Sequence, residues 1–282
     1  MNLASPRQIR QLLAERGLQP NRSLGQNFLI NRNILNAIVA AAEIAPSDRV
    51  LEVGPGLGIL TEALLATAEH VTAIEKDAGL HQILTTHWPD EPRLELIHGD
   101  ALELDHASLR RAGTSHMVSN LPYSVGTRVL VDAVTQPDPY DCIVILVQRE
   151  VAERITANAG TDSMGTLAIW VQQIYRAEIL RQVKPTCFWP RPEITSSLVR
   201  LQRHADYPLD PAGRDRLFNL VRIAYQQRRK QLVRTFRDAS SPYRIAPTVL
   251  QQLLQDIGTA PDARAETLGI AEWHQLTLRW PT

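Results

Sequence analysis

The sequence predicts a doubly wound, mainly parallel α/β sheet followed by a small helical domain. Three observations predict it. Short β-rich apolar runs alternate with helical spacing from Arg49 to Val147. The longest run, Cys142-Ile143-Val144-Ile145-Leu146-Val147, has the unbroken apolar character of a strand covered on both faces. After His204 the alternation stops and only helical spacing continues.

Taken in order, a short helix is expected near residues 5–16, then an irregular arm to residue 32. Arg49-Val50-Leu51-Glu52-Val53 is the first strand of the α/β domain, which runs over 33–205. The next helix carries Leu60, Leu64 and Leu65 on one face. Val71–Ile74 is the second strand, with a helix over 77–86, and Leu94–Ile97 is the third. Ser115–Val118 opens the fourth, and later strands are expected at 176–183 and 195–203. Asp206–Pro211 holds two prolines and reads as a linker. The helical domain then covers 206–282, with helices across 212–237, 247–256 and 271–280.

At 282 residues and 44% hydrophobic, the chain can bury a sizeable core. No run of about 18 apolar residues occurs, so no membrane span is expected. The opening MNLASPRQIR has two arginines and no apolar stretch, so no secretory signal is expected either. Cys142 and Cys187 are the only cysteines and lie far apart, which fits a reducing cytosol. No metal site is expected, and without HExxH or GxSxG the metalloprotease and serine-hydrolase readings fall away. The net charge is zero, yet residues 1–32 carry +4 and residues 214–237 carry +7. Two basic segments on an acidic body point to a localised anion-binding surface.

Between the first strand and its helix stands Glu52-Val53-Gly54-Pro55-Gly56-Leu57-Gly58. Glycines there let the backbone turn tightly and approach a ligand. The spacing is G-x-G-x-G rather than the dinucleotide G-x-G-x-x-G, and Pro55 removes an N–H that a pyrophosphate would use. Glu52 is unwelcome beside a diphosphate but suits a cationic ligand. Glu75, 21 residues after Gly54, ends the second strand and can hold a ribose diol. Asp100, before Ala101, ends the third and can accept from an adenine amine. Ribose, adenine and a cationic centre together read as S-adenosylmethionine. The fourth strand end is Asn120-Leu121-Pro122-Tyr123. The Asn120 side-chain carbonyl and the Leu121 backbone carbonyl, aimed by Pro122, can grip both N–H groups of a base amine. Tyr123 offers a ring for stacking.

Gly25-Gln26-Asn27-Phe28-Leu29, Glu52–Gly56, Glu75, Gly99-Asp100-Ala101 and Asn120–Tyr123 follow in order. Gln148–Val151, Phe188-Trp189-Pro190-Arg191-Pro192 and Gln227-Arg228-Arg229-Lys230 continue the series. On these motifs the chain resembles the bacterial small-subunit ribosomal RNA adenine N6,N6-dimethyltransferases, whose loss gives kasugamycin resistance. The resemblance implies a Rossmann-like, S-adenosylmethionine-dependent methyltransferase domain. Asn27 and Leu29 would close the cofactor pocket, Gly54 and Gly56 would floor it, Glu75 would bind the ribose, and Asp100 with Ala101 the adenine. Phe188 would stack on the flipped base opposite Asn120–Tyr123. The substrate would be two adjacent adenosines in the 3′-terminal hairpin loop of small-subunit ribosomal RNA, each dimethylated on an immature subunit during ribosome biogenesis. A cytoplasmic monomer is expected. Thr166, Arg128, Glu193 and Ile194-Thr195-Ser196 depart from the family's pattern, and none is a strand-end group.

Gln226–Arg237 reads as a basic helix, with Arg222 upstream. Arg222, Arg228, Arg229, Lys230 and Arg234 are the expected phosphate contacts. Arg7, Arg10, Arg16 and Arg22 would add a second basic edge. Rival readings are a macrolide-resistance adenine methylase, an assembly factor that keeps the fold as a platform, and a nicotinamide oxidoreductase. Leu121 disfavours the first, the intact acids the second, and the glycine spacing the third.

Overall fold

A computed structural model describes residues 5–205 and 209–281. It divides into two units. The first comprises the described residues of Met1–Ala152 with Arg176–Arg203; the second, Glu153–Tyr175 with those of His204–Thr282.

The strands are β1 (Phe28–Leu29), β2 (Arg49–Val53), β3 (His70–Glu75), β4 (Leu94–His98), β5 (Thr114–Asn120), β6 (Cys142–Gln148), β7 (Tyr175–Val183), β8 (Phe188–Trp189) and β9 (Ser196–Arg203). The helices of the first unit are α1 (Pro6–Glu15), α2 (Arg32–Ala42), α3 (Ile59–Leu65), α4 (Ala78–His87), α5 (His106–Arg111) and α6 (Gly126–Val134). Then come α7 (Arg149–Ile155), α8 (Thr166–Gln172), α9 (Pro211–Gln226), α10 (Leu232–Arg237), α11 (Pro247–Asp256) and α12 (Ile270–Arg279). No described helix is long and apolar enough to cross a membrane.

The main sheet has the order β4-β3-β2-β5-β6-β9-β7. β2, β3, β4, β5 and β6 run parallel, and β9 pairs antiparallel to β6. Chain order reverses between β2 and β5. In an open sheet of this kind the crevice at that reversal, beyond the carboxyl ends of the strands, receives the ligand. Val53 and Asn120 end the two strands that flank it. β6 is buried from Cys142 to Val147, as its apolar run requires.

Local chemistry sets the helix starts. Asp77 caps α4 by accepting from Gly79 and Leu80 N–H, and Asn31 caps α2 by accepting from Ile34 N–H. Ile9, Leu12 and Leu13 of α1 share a core with Phe28, Leu57, Leu80 and Ile83, so the N-terminal segment is built into the first unit.

Two expectations need correction. The second unit does not start at a linker near 206. Residues 206–208 lie outside the described residues, and Glu153–Tyr175 already belongs to the second unit. The cause is apolar: Met164, Ala168 and Ile169 share one core with Leu217, Leu220, Phe236 and Trp273. Nor is 212–237 one helix. It breaks at Gln227–Gln231, where Leu232 N–H donates to Ala263 C=O at 2.9 Å and Gln231 bridges to Arg264. These long-range bonds outweigh the helix propensity of a stretch without Gly or Pro.

Candidate active site

One cavity opens at the strand reversal. The arm at Gly25–Leu29, the turn Glu52–Leu57, the ends of β3 and β4 at Glu75, Lys76, Asp100 and Ala101, and the stretch Asn120–Val125 all line it. The cavity therefore gathers Asn27, Leu29, Glu52, Gly54, Gly56, Glu75, Asp100, Ala101, Asn120, Leu121, Pro122 and Tyr123 around one space.

The turn after β2 comes close to the turn after β5. Gly54 has φ +67°, and a Cβ there would lie 3.0 Å from Pro122 Cγ, so a side chain would be strained and crowded. The acids are held individually. Glu52 is 1% exposed and accepts from Thr61 Oγ1 at 2.6 Å. Burial pushes its carboxyl up to about 8, against the opposing effect of the Thr61 bond. Glu75, 6% exposed, accepts from Gly56 N–H at 3.0 Å through Oε2 and from Asp77 N–H at 2.9 Å through Oε1. Burial raises its pKa, and those two backbone donors oppose the rise. Asp100 differs: it accepts from Lys76 Nζ at 2.6 Å and from Leu102 N–H at 3.0 Å. The Lys76 ammonium, then the Leu102 N–H, hold its carboxyl below the usual range.

Asn120 Nδ2 donates to the Asn27 backbone carbonyl at 3.1 Å. That bond fixes the amide's polarity and leaves its carbonyl oxygen unpartnered among the described residues. The Pro122 carbonyl takes Val125 and Gly126 N–H, whereas the Leu121 carbonyl takes none among the described residues. Two carbonyl acceptors therefore remain on consecutive residues beside the cavity. The Tyr123 hydroxyl pairs with Ser196 Oγ, which anchors its ring at the wall. Burial pushes that phenol up, so it is neutral.

Phe188 does not reach the cavity. β8 pairs antiparallel with β1, setting Phe188 opposite Leu29, and the ring is 1% exposed in a core with Ile34, Leu35 and Ile38. Stacking on a base would require it to leave that core. The basic residues also divide. Arg228 Nε bonds Glu266 Oε2 at 2.6 Å and its Nη2 bonds Asp162 C=O at 2.9 Å. Arg222 is exposed and bonds Asn219, while Arg229, Lys230 and Arg234 are exposed. Arg7, Arg10 and Arg16 are exposed as well, and the Arg22 side chain lies outside what is described. Sequence reasoning missed Lys76, Gln26 and Ser196. Lys76, next to Glu75, was the one with a local signal.

The profile of the ribosomal RNA adenine dimethylase family matches residues 17–279. Ribosomal RNA small subunit methyltransferase A of Clostridium perfringens (strain SM101 / Type A) is 35% identical over 95% of this chain and 93% of its own length. The protein of the same name from Phenylobacterium zucineum is 36% identical over 99% of this chain and 95% of its own. Among solved structures, a dimethyladenosine transferase from Plasmodium falciparum superposes with a TM-score of 0.76 at 24% identity, covering 90% of this chain and 97% of its own. The 23S rRNA methyltransferase ErmE superposes at 0.68 and 24%, over 90% and 99%. These two likenesses show the shared Rossmann-like fold.

Proposed function

The chain belongs to the ribosomal RNA adenine dimethylase family, and on that premise we propose that it dimethylates N6 of two adjacent adenosines in the 3′-terminal hairpin loop of small-subunit ribosomal RNA. The proposed setting is an immature small subunit in the cytoplasm, with S-adenosylmethionine as donor and the chain acting as a monomer. The single observation that carries the reading is the placement of Asn120: its amide is pinned by Asn27 at 3.1 Å and shares one cavity with Glu75 and Asp100.

The residues fit this donor. Glu75, oriented by two backbone N–H groups, has lone pairs left for a ribose diol. Asp100, ionised and steadied by Lys76, can accept from an adenine amine beside Ala101. The Gly54–Gly56 turn lets the backbone form the floor, with Asn27 and Leu29 above it. Glu52 supplies a carboxyl that a nearby cation would ionise. When bound, S-adenosylmethionine supplies an electrophilic methyl group on a sulfonium.

The chain's own part is to present the nucleophile. In the first transfer the Asn120 and Leu121 carbonyls accept the two N–H groups of a flipped adenine amine and turn its lone pair toward the donor; in the second, one carbonyl accepts the single N–H left on the methylated amine, and each transfer releases one proton to solvent. Tyr123 offers a stacking face. The nitrogen becomes acidic as it is alkylated, so no strong base is required. Positioning and fixed dipoles supply the catalysis. In the second unit, Arg222, Arg229, Lys230 and Arg234 are proposed as phosphate contacts, with Arg228 assigned to holding that unit together.

The test incubates immature small subunits with labelled donor and analyses the digested RNA by mass spectrometry. Two adjacent dimethyladenosines in the terminal hairpin, lost with Asn120→Ala, are expected. Equal labelling by that variant, or label confined to large-subunit RNA, would overturn the reading.

A further inference from the structure

The arm over the cavity is fastened by a side chain that the reaction above does not use. We propose that Gln26 is a positioning residue whose amide latches the arm to Asp77 and so couples the donor end of the cavity to the end where Asn120 stands. The inference rests on the function proposed above.

The amide's direction is determined. Gln26 Oε1 accepts from Asn21 N–H at 2.7 Å, so its NH₂ is what faces Asp77, and Nε2 donates to Asp77 Oδ2 at 3.1 Å. Asp77 Oδ1 is committed to capping α4 through Gly79 and Leu80 N–H. The Asp77 N–H donates to Glu75 Oε1, and Glu75 Oε2 accepts from Gly56 N–H. A hydrogen-bond chain thus runs from the arm, through the acid assigned to the ribose, to the glycine turn. One residue further along the arm, the Asn27 carbonyl receives Asn120 Nδ2 at 3.1 Å. One residue before, Gly25 has φ +67°, and a Cβ there would lie 3.0 Å from Tyr123 N and 3.1 Å from Ser124 N. The arm's backbone therefore lies directly on the turn that follows Asn120. Gly25, Gln26 and Asn27 touch both ends of the cavity, and the Gln26 bond is the one that sets the donor end.

Reversing the polarity of the latch tests it. Gln26→Glu sets carboxylate against carboxylate while keeping an acceptor for Asn21. Asp77→Asn keeps a capping oxygen for α4 but turns NH₂ against NH₂. The two changes together restore the bond with donor and acceptor exchanged. Two measurements are made on the full chain: S-adenosylmethionine binding by calorimetry, and amide hydrogen exchange of residues 21–29 without donor. Each single change is expected to weaken donor affinity about 10-fold or more and to speed exchange in the arm. The double variant should return both to within about threefold of the parent. Singles that behave as the parent, or a double no better than the worse single, would overturn the latch. A parent protein that fails to bind the donor counts against the proposed function instead, and the exchange measurement still decides the latch.

Discussion

At the carboxyl ends of β3, β4 and β5, three polar side chains each answer to a backbone group. Glu75 accepts from Gly56 and Asp77 N–H, Asp100 from Leu102 N–H, and Asn120 donates to the Asn27 carbonyl. In the basic stretch Gln226–Arg237 of the second unit nothing so uniform occurs. Arg228 is spent on Glu266 and Asp162, while Arg229, Lys230 and Arg234 stand exposed. The first region is held in place by the chain's own backbone groups. The second is a set of charges, some structural and some available, and formal charge does not distinguish them. Fixed dipoles favour a transition state, whereas exposed cations set affinity and its salt dependence.

The sharpest way to break this contrast is Asn120→Ala. A loss of about 10²- to 10³-fold in turnover is expected, with donor affinity changed far less, measured by single-turnover methylation and calorimetry. Second in size is joint charge reversal at Arg229, Lys230 and Arg234. Affinity for immature subunits should fall, and the slope of log K against log salt should drop by about one per cation, with donor binding intact. A large loss of donor affinity there would merge two regions that the structure keeps chemically distinct. Third, Arg228→Ala should cost the folded state about 1 kcal/mol in a thermal melt and leave the salt slope nearly unchanged.

The fourth test concerns Glu52 and reads a slope rather than a single loss. Its carboxyl titrates near 8 in the fold against an ordinary 4.5. Between those values the unfolded chain binds fewer protons than the folded one, so stability falls as pH rises through the window. Glu52→Gln should remove that part of the slope, so the variant's melting temperature should decline less than the parent's from pH 5 to pH 8. Identical slopes would show that Glu52 is ionised in the free protein.

Most of the cavity lining was legible because a strand end is readable twice. The β-rich run shows where the strand is, and an acid or amide within three residues of its end shows what meets the crevice. Glu75, Asp100 and Asn120 were found in that way. Phe188 could not be placed so, because a two-residue strand has no periodicity and its pairing with Leu29 is non-local. The break at Gln227–Gln231 was hidden for the same reason: residues near 263 cause it. Gln26 was invisible because its partner Asp77 meets it only across folded loops, whereas Lys76 had the local signal of adjoining Glu75 and only its bond to Asp100 was out of reach.

The division of the chain has a practical consequence. The second unit takes one piece from before β7 and the rest from after β9. A truncation behind Ala205 would remove Leu217, Leu220 and Phe236 but leave Met164, Ala168 and Ile169 attached to the remainder. Those stranded apolar side chains make such a fragment prone to self-association. Dissection that aims to isolate a minimal methylating core has to excise both pieces at once, joining the chain near Ala152 to Arg176.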